Sequence, residues 1–191
     1  MPCFTNGTMI CTLKGELAVE TLAVGDRVVT RDNGLQTVRR ISRLDIDYGQ
    51  LSASKHLQPM LIMAGALGHG LPERDMLVSP NLRVLDQQGT AQGGESSDEL
   101  ASAKDLLDNN KVRACSVLGV RYVHVEFQRH EVVLANGVWA ECFHSDDISL
   151  GDSGNAQMAE LDEIFPNRMR PVGADVSTTL TKQTPVGEAR P

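Results

Sequence analysis

Residues 3–41 read CFTNGTMICTLKGELAVETLAVGDRVVTRDNGLQTVRRI. Gly15, Gly25 and Gly34 punctuate the stretch at intervals of 10 and 9 residues. Between them lie short runs rich in Val, Thr and Ile, residues that suit a pleated, half-buried backbone. The Asp32-Asn33-Gly34 triplet is a hairpin signal, because Asn and Gly tolerate positive φ. DRVVT and QTVRRI flank it as two β-branched arms. The spacing therefore predicts short strands joined by tight turns rather than helices.

The same grammar continues along the chain. In QPMLIMAGALGHGLPERDMLVSPNLRVLDQQG (58–89) two strand-like pieces, DMLVS and LRVLD, stand on either side of Pro80. Proline cannot donate to a ladder, so a bend is expected there. AQGGESSDE (91–99) has the composition of an exposed loop. ELASAKDLLDNN (99–110) reads as a short helix, with Leu100, Ala103, Leu106 and Leu107 on one face. VLGVRYVHVEFQ, EVVLANG and VWAECFHS follow as strands, with a second Asn-Gly turn at Asn136-Gly137. The composition shifts after Ser145. DDISLGDSGNAQ reads as a linker, MAELDEIF as one amphipathic helix, and the stretch beyond Pro166 as a mobile tail. The expectation is one all-β domain over residues 1–145, with one or two short helices, and a linker, short helix and tail over 146–191.

Composition narrows the function. Hydrophobic residues make up 41% of the 191, enough for a core, but aromatics only 4%, so aliphatic side chains must fill it. A net charge of -7 argues against a nucleic-acid surface. No run approaches the roughly 18 apolar residues of a membrane span. No signal peptide is visible, which predicts a cytoplasmic protein. The four cysteines, Cys3, Cys11, Cys115 and Cys142, form no C-x-x-C pair, so neither zinc nor another cofactor is expected.

The order C-F-x-x-G-T-x-I-x-T, followed by V-E-x-L-x-x-G-D-x-V-x-T, runs from Cys3 to Thr30 and resembles the opening of a bacterial Hint (Hedgehog/intein) domain. AGALGHGLPERDMLVSPNLRVL resembles the family's second block. YVHVEFQRHEVVLANGVWAECF resembles its third, and its Ala-x-Cys-aromatic ending is similar to that of Hedgehog autoprocessing domains. The resemblance implies a horseshoe of short strands and an N-to-S acyl shift. In that reaction the first cysteine attacks the carbonyl before it and converts an amide to a thioester. Such a thiol must be deprotonated, the amide polarised and the oxyanion held.

Site residues follow from that resemblance. Cys3 takes the nucleophile position, where an ordinary free cysteine would be a small buried hydrophobe. The family's Thr-x-x-His block falls on Ser79-Pro80-Asn81-Leu82, so Ser79 supplies a hydroxyl and Leu82 stands where histidine is expected. Losing a positioned base removes roughly 10²- to 10⁴-fold in rate. His130 is the substitute candidate, against a simple turn histidine. Cys142 is a second thiol expected near Cys3, against a core residue. His124 alternates with Tyr122 and Glu126, and with Val123, Val125 and Phe127 facing the core it is expected on the solvent side. Cys11 and Cys115 read as packing residues, and His56, His69 and His144 as surface. Asp75 reads as an ion-pair partner of Arg74 or Arg83, and Gly7-Thr8 as the turn that presents Cys3. Only Met1 and Pro2 precede Cys3, so an upstream protein segment would be the self-substrate. Together with Leu82 this predicts impaired autocatalysis, the alternative being a non-catalytic binding or structural module. The GEARP ending has no His-Asn splice junction, which argues against protein splicing.

Overall fold

A computed structural model of the chain describes residues 3–86, 100–108 and 110–142. The described residues form fourteen short strands: β1 (Phe4–Thr5), β2 (Met9–Thr12), β3 (Gly15–Ala18), β4 (Arg27–Thr30), β5 (Gly34–Thr37), β6 (Arg40–Asp47), β7 (Met60–Ile62), β8 (Met76–Val78), β9 (Arg83–Leu85), β10 (Leu100–Ser102), β11 (Val112–Ala114), β12 (Gly119–Glu126), β13 (Glu131–Ala135) and β14 (Val138–Cys142). Among the described residues these strands are joined by one α-helix, α1 (Tyr48–Ala53), and two 3₁₀ turns, at Val19–Thr21 and Lys55–Leu57. The all-β reading of the sequence holds.

The strands form two antiparallel sheets. One has the order β11-β7-β8-β1-β12-β6, the other β10-β9-β14-β13-β2-β4-β5 with β3 beside β2. Both Asn-Gly signals make hairpins. β4 and β5 close at Thr30 and Gly34, where Gly34 takes φ +64°. β13 and β14 close through Asn136 and Gly137 alone, at φ +47° and +80°. That pair of left-handed residues matches the twist of the strands it joins. Asn136 also ties the hairpin to β2: its Oδ1 accepts from Met9 N at 2.9 Å, and its own N donates to Met9 O at 2.9 Å. Ser79-Pro80-Asn81 bends the chain between β8 and β9, as the proline requires.

Two apolar clusters flank the first sheet. The larger joins both sheets and includes Phe4, Ile10, Val78, Leu82, Val84, Val123, Val125, Phe127, Val133 and Cys142. The smaller lies on the opposite face, where Leu51 of α1, Leu57 and Ile46 cover Cys3 and Tyr122. The first sheet is thus buried on both faces near β1. A sheet so covered loses the alternation that marks a half-solvated one.

Two expectations are corrected. The described residues of the 99–110 stretch do not form a helix. Leu100, Ala101 and Ser102 pair with Leu85, Val84 and Arg83 as β10, and a turn follows. An open strand edge at β9 offered hydrogen bonds that one amphipathic turn could not match; Ala103 and Leu106 still bury in the larger cluster. Conversely, α1 went unforeseen although its signal is present. Asp47 Oδ1 accepts from Gln50 N at 2.9 Å and Gln50 Oε1 from Asp47 N at 3.0 Å, a reciprocal cap at the helix start. The linker, helix and tail expected over 146–191 lie outside the described residues.

Candidate active site

The site begins at β1, which is central in its sheet. Phe4 pairs with Val78 on one side and Val123 on the other. Continuing both registers by one residue sets Cys3 opposite Ser79 and opposite His124. The backbone confirms the first pairing: Ser79 N donates to Cys3 O at 3.0 Å, and Cys3 N donates to the Ser79 hydroxyl, Oγ, at 2.8 Å. Residues paired across an antiparallel ladder point to the same face. Ser79, Cys3 and His124 therefore form one row on the face away from Phe4, continued on β6 by Ser42. The row is closed off: Cys3 is 0% exposed, His124 1% and Ser79 3%.

A charged pair backs this row. Glu126 shares the face of His124, two residues on, and its Oε1 lies 3.5 Å from His124 Nε2. Arg40, its cross-strand partner, clamps it with both guanidinium branches, Nε to Oε1 at 2.9 Å and Nη2 to Oε2. Sequence alternation gave His124, Tyr122 and Glu126 one common face, which is correct, but assigned that face to solvent. The correction is physical: Leu51 and Leu57 roof Tyr122, whose hydroxyl donates to Leu57 O at 2.8 Å, and Arg40 neutralises Glu126. The missed signal was the matching charge on β6, Arg40 against Glu126.

The other predicted residues lie elsewhere. Leu82 is 0% exposed and packs in the larger cluster, its N donating to Ser79 O at 3.1 Å. Cys142 also belongs to that cluster, whereas Cys3 belongs to the smaller one, so the two thiols pack in separate cores. Burial pushes the Cys142 thiol well above its ordinary value, and the nearby Glu141 and Glu131 carboxylates push it further. His130 precedes β13 in the second sheet. Its Nε2 lies 2.8 Å from Glu141 Oε1, which also faces Arg83 Nη1 at 3.3 Å. Asp75 does not pair with Arg74 or Arg83; its Oδ1 accepts from Ala64 N at 2.8 Å and caps that loop. Gly7, at φ +86°, and Thr8 make the turn after β1, and Gly7 N donates to Glu20 Oε2 at 2.9 Å. His56 and His69 are exposed, and Cys11 and Cys115 half-buried. Among the described residues, no group of three or more His, Cys, Asp or Glu is placed to hold a metal ion, and no helix is long and apolar enough to cross a membrane.

The sequence profile described as "Hint domain" matches residues 2–147. The chain belongs to the Hint domain family. Among solved structures, it is similar to the gp41-1 intein, at 13% identity and TM-score 0.46, over 75% of this chain and 98% of that one. It is similar to the bacterial intein-like domain from Clostridium thermocellum, at 13% identity and TM-score 0.46, over 74% and 99%. A DnaB intein from Synechocystis sp. PCC 6803 matches at 10% identity and TM-score 0.47, over 74% and 99%. No curated protein sequence matches the chain. The Hint fold is that of a self-processing type of module.

Proposed function

We propose that this Hint domain carries out an N-to-S acyl shift at the peptide bond before Cys3, at a rate reduced by Leu82. Cys3 Sγ attacks the carbonyl carbon of the preceding residue. A C–S bond forms, the C–N bond to Cys3 breaks, and the thiol proton ends on the released amine. A thiol or other nucleophile then takes the acyl group and frees the upstream segment, the self-substrate.

One observation carries this reading: the 2.8 Å hydrogen bond from Cys3 N to Ser79 Oγ. That nitrogen is the leaving group. Its N–H is held while the bond is intact, and the serine's own proton is within reach of the nitrogen lone pair as the C–N bond breaks. Burial of Cys3 removes water, which would compete for the thioester. Leu82 is the counterweight. An aliphatic side chain gives neither proton nor hydrogen bond, so position 82 supplies no donor to the amide. The same leucine favours a second reading, a Hint-fold binding or structural module without chemistry.

A soluble protein fused ahead of the full chain separates the two. Incubation with dithiothreitol or hydroxylamine is expected to release it slowly. Cys3→Ala abolishes release, and Leu82→His accelerates it. A fusion that stays intact through prolonged incubation would sink the catalytic reading.

A further inference from the structure

The geometry points to His124 as the group that takes the proton from Cys3, with Glu126 and Arg40 as its positioning residues. This rests on the acyl-shift reading above and adds the base that the reading leaves open. Ser79 addresses the amide nitrogen, and position 82 lies in the other core. Neither accounts for how a thiol held out of water loses its proton.

Three observations place His124 in that role. First, the β1–β12 register, Phe4 with Val123 and Thr5 with Tyr122, makes His124 the cross-strand partner of Cys3. Such partners have Cβ atoms about 4.5–5.5 Å apart on one face, a separation that a thiol and an imidazole bridge. Second, the imidazole is 1% exposed. Burying a titratable side chain is costly unless neighbours compensate for it. Third, compensation of the required sign is present. Glu126 Oε1 stands 3.5 Å from Nε2, and Arg40 fixes that carboxylate from β6. A carboxylate this close to an imidazole stabilises the imidazolium that forms when it accepts a proton. The ionisable groups facing His124 are thus Cys3 on β1, Tyr122 and Glu126 on its own strand, and Arg40, through Glu126, on β6.

The step balances without a further reagent. The Sγ–H bond breaks and its proton moves to His124, leaving a thiolate beside an imidazolium. The thiolate adds to the carbonyl carbon. On collapse the electron pair of the C–N bond stays on Cys3 N, which is protonated through Ser79 Oγ and, in net terms, by the proton His124 holds. The imidazole is then neutral again. His130, a third exposed and tied to Glu141, has no part in this.

Two measurements on the full chain test it. The first is thiolate ultraviolet absorbance against pH, read as the native chain minus Cys3→Ala. The native chain is expected to hold about ten-fold more Cys3 thiolate near neutral pH than His124→Gln, since a neighbouring imidazolium lowers a thiol's pKa by a unit or more. The second is release of the upstream fusion, which His124→Gln is expected to slow by roughly 10²-fold or more, while His130→Gln changes neither quantity. Glu126→Gln serves as the second variant, leaving the imidazole in place. It is expected to raise the pH at which the thiolate appears and to move that readout even if His124→Gln fails to fold. A fusion that stays intact in the native chain and in every variant, with a thiolate signal that still depends on His124, would overturn the acyl shift and leave the pairing standing. Normal release and an unchanged thiolate titration in His124→Gln or Glu126→Gln would overturn the pairing and leave the acyl shift standing.

Discussion

Ser79 is where stability and chemistry meet in one atom. Its Oγ accepts the Cys3 N–H, and its own N–H donates to Cys3 O. Ser79→Ala leaves a buried amide donor without its acceptor, which costs about 1–3 kcal/mol. The expected outcome is a lower urea midpoint together with slower fusion release; an unchanged midpoint would show that the donor finds another acceptor. Leu82→His is costly for a different reason. It sets an imidazole among Val84, Ala103 and the rest of the larger cluster, and a buried polar group lacking a partner costs about 1–3 kcal/mol. Faster release at lower stability is therefore the combination expected of that variant. Ser79 was legible in the sequence because a whole block of neighbours marked it. His124 was not, because alternation along one strand fixes which residues share a face and says nothing about what covers that face. The cover of that face comes from Leu51 and Leu57, which pack with Cys3 and Tyr122 and lie some seventy residues away in sequence.

Turns were the most legible elements. At Asn136-Gly137 the pair makes a two-residue reversal through two left-handed residues, whereas β4 and β5 close over the three residues 31–33 with Gly34 at positive φ, and both are local chemistry. Gly137 shows how strict it is: at φ +80°, an added Cβ would meet Glu73 Cγ and Leu71 Cδ2 at 3.0 Å. Both contacts are flexible side-chain atoms, so the backbone angle dominates. Gly137→Ala is expected to cost about 1–2 kcal/mol, measured by urea unfolding; a loss well under that range would mean the β13–β14 turn can refit. Strand against helix over residues 99–110 was not local. Leu100, Ala103, Leu106 and Leu107 have helical spacing, yet pairing with β9 satisfied the backbone of Leu100–Ser102 and buried Ala103 and Leu106 as well. Tertiary pairing outweighed a short pattern that had no strong cap to hold it.

At the scale of the molecule, the first sheet divides two cores, and that division separates the thiols. Cys3 lies in the small core beside Ser79 and His124. Cys142 lies in the large one, its proton retained by burial and by the Glu141 and Glu131 carboxylates. A thiol held protonated is a poor acyl acceptor, which favours packing over transfer at Cys142. It also leaves a signature in global stability. Its folded-state pKa is raised above the ordinary value of 9.0, so above that pH the unfolded chain loses a proton that the native chain keeps. The native state then binds more protons than the unfolded one, and stability falls as pH rises. The contribution is present in full below about pH 9 and is lost as pH climbs towards the folded-state value. The expected slope from this one group approaches about 1.4 kcal/mol per pH unit. Urea unfolding from about pH 8 to about pH 10 should show a steeper alkaline decline in the native chain than in Cys142→Ala, whose decline retains only the other titrating groups. Equal slopes would mean that water or structural relaxation reaches Cys142, and that its thiol is available for chemistry after all.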